Sequence, residues 1–166
     1  MINFESAKIT LKDGASLKFL EASLEDMAQA LAINKSDVWH NPLVESISRI
    51  KLDNHIEVPE IGLFALTIQY SNGEPEHGIL SWIDSPISKC DWETVTPSDL
   101  YETVLGLSAA VEILFRSSPS KKQKNLIVHN TQWGNIRISG ETRSYSVGAY
   151  LFPNKRKSRD RFESRS

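Results

Sequence analysis

Cysteine is almost missing from this chain of 166 residues: Cys90 stands alone, so no internal disulfide can form. Small secreted domains lean on disulfide frameworks, and the lack of one directs the reading to a reducing, cytoplasmic location. Long apolar runs are missing too. Even Leu105 to Phe115 is interrupted by Ser108 and Glu112, short of the roughly 20 apolar residues that span a bilayer. The opening Met1-Ile2-Asn3-Phe4-Glu5 has neither the positive start nor the apolar stretch of a secretory signal, and no membrane partner is expected.

Several chemical motifs are absent as well. No phosphate-cradling loop ends in Gly-Lys-Ser/Thr, no glycine triplet marks a dinucleotide site, and no Gly-x-Ser-x-Gly elbow presents a nucleophile. No lysine follows Asp or Glu at two positions, the arrangement by which restriction-type nucleases pair a metal-holding carboxylate with a phosphate-facing ammonium. His40, His55, His77 and His129 do not stand three or four residues from one another or from Cys90, so no metal site is expected, and no cofactor. Cys90 has Lys89 beside it but no base in sequence, and reads as a half-buried structural residue.

What is present is an ordinary globular composition, 40% hydrophobic and 24% charged, in a length that suits one domain. The charge is unevenly spread. Residues 1–152 hold 13 Lys+Arg against 19 Asp+Glu, a net −6, while residues 153–166 hold 6 against 2, a net +4. The expected organisation is therefore a single domain over 1–152 followed by a basic flexible tail over 153–166.

Asp13-Gly14 between Ile9-Thr10-Leu11 and Leu17-Lys18-Phe19 predicts a hairpin, and Ser23 predicts a cap for a helix over Leu24 to Ile33. Leu43, Ile47 and Ile50, spaced by four and three behind Pro42, predict a second helix within Val38 to Leu52. Asp53 to Glu60, with three acids and Pro59, reads as a loop. Strict alternation over Ile61 to Ser71, the turn pair Asn72-Gly73 and a return over His77 to Asp84 predict a second hairpin in the middle of the sheet. Thr96-Pro97-Ser98-Asp99 opens a core helix to Arg116, striped by Leu100, Val104, Leu107, Val111 and Leu114. A loop over Ser117 to Lys124 and strands at Leu126–His129, Asn135–Ser139 and Ser144–Phe152 complete the chain. The fold class expected is α+β: a mainly antiparallel sheet with about three helices packed on one face, in the order ββααββαβββ.

Three functional readings follow. The first is a non-catalytic interaction protein, an assembly subunit or protein-binding inhibitor, with Trp39, Trp92 and Trp133 as interface residues and another protein as partner. The second is an accessory protein that docks on nucleic acid through the tail cations Lys155, Arg156, Lys157, Arg159, Arg161 and Arg165, which can neutralise phosphates without reading bases. The third is an enzyme with a site assembled near His129. His129-Asn130-Thr131 carries the His-x-Thr element of two-histidine phosphoesterases, but the second copy is missing, so Thr131 and His77 are the residues that would have to join it.

Overall fold

A computed structural model describes residues 1–154. Strands β1 (Ile2–Asn3), β2 (Lys8–Thr10) and β3 (Ser16–Lys18) form a small antiparallel sheet of their own. Helix α1 (Leu24–Ala30) follows. Strands β4 (Trp39–His40), β5 (Ile47–Val58), β6 (Gly62–Ser71) and β7 (Glu74–Trp82) come next, then helix α2 (Pro97–Phe115), then β8 (Pro119–Gln123), β9 (Leu126–Asn130), β10 (Gly134–Glu141) and β11 (Ser146–Pro153). The last eight strands make one antiparallel sheet in the order β4-β5-β6-β7-β11-β10-β9-β8.

The termini of the elements follow local chemistry. Asn72 and Gly73 both take positive φ, as a two-residue hairpin turn between right-twisted strands requires. The Ser23 hydroxyl accepts from the Asp26 amide to start α1. At the start of α2, Thr96 and Asp99 form a reciprocal capping box with Pro97 at the first helical position, and Arg116 ends the helix in the left-handed conformation.

The core lies between α2 and one face of the large sheet. Leu100, Val104, Leu107 and Val111 of α2 are fully buried, as are Ile127, Ile136, Ile138, Ala149, Leu151 and Leu80 on the strands below. Each fully buried aliphatic side chain contributes roughly 1.5 to 3 kcal/mol relative to exposure. Trp82 comes up from β7 directly against Gly106, where any Cβ would overlap its ring. The small sheet covers the same face beside the helix: Leu20 lies against Gly78, and Phe4 meets Phe115 edge-on at 5.3 Å between centroids.

The expectation of about three helices in the order ββααββαβββ is overturned. There are two helices among the described residues, and α2 alone crosses the sheet. The segment given as a second helix within Val38 to Leu52 is the short strand β4, a loop and the first half of β5, with a 3-10 turn at Lys35–Asp37 just before it. Leu43, which would have anchored that helix, is 92% exposed, whereas Ser48 and Ile50 are buried two apart and pair with β6. The spacing of Ile47 and Ile50 mimics a helix because it joins residues on opposite faces of one strand. The Asn41 side chain accepts from the amides of Leu43 and Val44, which turns the chain into β5.

Asp53 to Glu60, expected as a loop, continues β5 to Val58. Register shifts between Lys51 and Asp53 and between Asp53 and Ile56 break the two-residue period by which strands are recognised. The Ser117 to Lys124 loop contains β8, every residue of which is exposed. Its Pro119, Lys121 and Lys122 guard the sheet edge against pairing with another strand.

Candidate functional site

His129 is wholly buried between α2 and the sheet. Its Nδ1 lies 3.0 Å from the Ser117 carbonyl oxygen, which can only accept, so Nδ1 carries the proton and donates. In the neutral ring Nε2 then accepts from the Ser108 hydroxyl on α2, at 2.8 Å. Burial holds the imidazole below its ordinary pKa, which keeps this tautomer neutral. The hydroxyl and imidazole have the composition of a nucleophile and its base, yet Ser108 is itself buried and both groups are spent on holding helix to strand.

The residues that would have joined His129 do not meet it. Thr131 closes the β9–β10 turn, its hydroxyl donating to the Gly134 carbonyl at 2.9 Å and accepting from the Gly134 amide at 3.0 Å. His77 lies on the opposite face of the sheet, because Gly78 shares the row of Leu151, Ile136 and His129. No group of three or more His, Cys, Asp or Glu side chains suited to a metal occurs among the described residues.

The three tryptophans expected at an interface stand apart. Trp133 is half-buried in the β9–β10 turn, 5.9 Å from Phe115 between centroids, and plugs the core. Trp39 is exposed on the edge strand β4, with the Arg49 guanidinium 4.9 Å from its ring centroid. Trp92 is 70% exposed in the β7–α2 connection and meets only Tyr145 edge-on at 6.0 Å among the paired aromatic rings. The tail cations Lys155, Arg156, Lys157, Arg159, Arg161 and Arg165 lie outside the described residues.

Two surfaces emerge from the topology. Because the strands alternate in direction, one end of the sheet gathers the β5–β6 turn, the β7–α2 connection, the β8–β9 turn and the β10–β11 turn. Residues 57–62 and 83–99 there hold Glu57, Glu60, Asp84, Asp91, Glu93 and Asp99 against Lys89, and the β8–β9 and β10–β11 turns add Lys124 and Arg143, so these connections carry a net −3. Glu57, Glu60 and Asp84 line a recess of about 360 Å³. The Leu63 amide donates to Asp84 and holds its carboxyl below the usual range, while the Thr96 amide and hydroxyl do the same for Asp99. Ile83 and Trp92 are exposed amid these charges. Cys90 sits in the same connection, its thiol donating to the Pro86 carbonyl and held above its ordinary pKa by desolvation and by Asp99 and Asp91.

The second surface is the sheet face that α2 leaves uncovered. Register pairing lines up Lys51, Thr67, Ile79, Tyr150, Arg137, Val128 and Lys121 in one row across seven strands. A neighbouring row begins Trp39, Arg49, Gln69, His77. Arg49 Nε donates to Gln69 Oε1 at 2.9 Å, and Gln69 Nε2 donates to Glu76 Oε2 at 2.7 Å. His77 packs against Tyr150 and Phe152 at 5.8 and 5.6 Å between centroids, and its burial lowers its pKa. Local sequence pattern does not reveal this cluster. The alternation of Tyr150 and Phe152 in β11 was its only signal, and it acquires meaning once the helix is known to sit on the other face.

No helix of the described residues is long and apolar enough to cross a membrane. Compared with protein-family models, curated proteins and solved structures, the chain matches none.

Proposed function

We propose that this chain is a non-catalytic interaction protein, an assembly subunit or an inhibitor, whose acidic end docks on a basic protein. The observation that carries the reading is the concentration of six carboxylates against three cations at the end of the sheet that bears the exposed Trp92 and Ile83. A protein interface joins apolar anchors, Trp foremost, to a charged rim that steers the partner, and a net negative rim complements a cationic surface. The guarded β8 edge argues against strand addition at that side of the sheet. The burial of both Ser108 and His129 weighs against the enzyme alternative, since a substrate would have to enter the core to reach them. A cytoplasmic setting belongs to the same reading, on the ground of the single unpaired thiol.

The test compares what the full chain and two variants retain from a native extract. A basic protein held by the unmodified chain and by Trp39→Ala, but lost with Trp92→Ala combined with Glu93→Lys, is the expected result. Retention of the same set of proteins by all three forms would remove the acidic end from the account.

A further inference from the structure

We propose that the uncovered face of the eight-stranded sheet is a platform for single-stranded nucleic acid, with bases stacked on Tyr150 and Phe152 and phosphates held by Arg49, Lys51, Lys121 and Arg137. This surface lies away from the acidic end, and the inference does not depend on the docking of a basic protein there.

The geometry supplies the stacking element. A Cβ placed on Gly148 would come within 2.9 Å of three atoms of the Tyr150 ring and hydroxyl, so the ring is laid down along its own strand over the glycine. His77 props Tyr150 and Phe152 from the neighbouring strand, and the Arg137 guanidinium lies 5.9 Å from the Phe152 centroid. Three rings are thus assembled side by side on a sheet face before any ligand arrives. Rings held in this way accept bases of any sequence, because every base has a π-face.

Charge supplies the second element. Arg49, Lys51, Lys121 and Arg137 are exposed on this face, and the carboxylate among them, Glu76, is engaged by Gln69. Further carboxylates on this face stand at its two ends, Glu57 and Glu141 at one and Glu74 at the other. Adjacent strands lie about 4.8 Å apart, so the row from Lys51 to Lys121 runs roughly 29 Å. Cations at both ends and Arg137 within the row suit a strand laid across the sheet. In sequence, β11 leads from Phe152 into residues 155–166, which hold six cations against two acids. A duplex keeps its bases stacked inside, so a single strand is the ligand that can use both elements.

The experiment titrates the full chain into fluorescently labelled fifteen-residue oligo-dT and oligo-U at low salt and reads anisotropy. Saturable binding is expected, weakened by added salt. Tyr150→Ala should weaken it roughly five- to hundredfold, as loss of one stacked base does, while Tyr150→Phe keeps it. Arg137→Gln, at an exposed site that leaves folding intact, should weaken binding and flatten its salt dependence. Trp92→Ala should bind as the unmodified chain does, which separates this surface from the acidic end. Four outcomes would overturn the proposal: no binding to either oligomer; binding that Tyr150→Ala and Arg137→Gln leave unchanged; binding abolished by deleting residues 155–166 yet indifferent to both face variants; or equal binding of poly-glutamate, which would mark a docking site for an acidic protein.

Discussion

The hydroxyl of Ser108 on α2 sits 2.8 Å from Nε2 of His129 on β9, and the Ser117 carbonyl holds the other ring nitrogen. One neutral imidazole thereby links the middle of the core helix, the segment just after its end, and the sheet. Burial lowers its pKa, so the unfolded chain takes up a proton near pH 6.5 and the folded chain only at lower pH. The unfolded state then binds more protons in that window, and stability falls as pH drops below about 6.5 and is unaffected by this residue above it. His77 is shifted in the same direction and shares the slope. Melting temperatures taken from about pH 7.5 to about pH 5 should decline, and decline less steeply in His129→Gln. Equal slopes in the two proteins would contradict a buried imidazole held neutral by desolvation.

Ser108→Ala leaves Nε2 buried without a partner. The lost hydrogen bond costs about 1 to 3 kcal/mol, offset in part by the better helix propensity of alanine, so a net loss of roughly 1 to 2 kcal/mol is expected in urea unfolding.

Gly106 lets the helix lie against Trp82, whose ring also stacks on Phe64 at 5.7 Å. Gly106→Ala would gain about 1 kcal/mol of helix propensity in isolation. Here the added methyl meets the ring, and overpacking of this kind costs about 1 to 3 kcal/mol, so net destabilisation is expected. In a Trp82→Leu background the same change should become neutral or stabilising. A double-mutant cycle measures that reversal directly.

The contrast between Leu43 and Ile50 checks the correction of the expected second helix. Leu43→Ser should alter stability by less than about 0.5 kcal/mol, because the side chain is solvated on the β4–β5 loop. Ile50→Ala, at a buried position paired with Ile68, should cost about 2 to 5 kcal/mol. Comparable losses at both positions would restore the helix.

These cases also show what the sequence could and could not disclose. The hairpin at Asp13-Gly14, the turn at Asn72-Gly73, the cap at Ser23 and the capping box at Thr96 and Asp99 were legible because each is fixed by residues within a few positions of one another. The long strand β5 was not, since its bulges disturb the alternation and its polar second half is strand only because β6 pairs with it. Edge strand β8, exposed throughout, carries no apolar pattern at all. Of the residues proposed for docking, Trp92 could be named from its type, but the carboxylates at its end of the sheet come from segments more than 20 residues apart and meet only through strand direction. The row from Lys51 to Lys121 depends on register across seven strands, which no local pattern encodes.

The proposed docking of a cationic protein at the acidic end rests on Trp92 as its anchor. Calorimetric titration of the basic protein recovered by the unmodified chain tests it most directly. Trp92→Ala should weaken binding by about 2 kcal/mol or more, roughly thirtyfold, as truncation of a central anchor does, and added salt should slow association. Unchanged affinity in a folded Trp92→Ala protein would contradict the account.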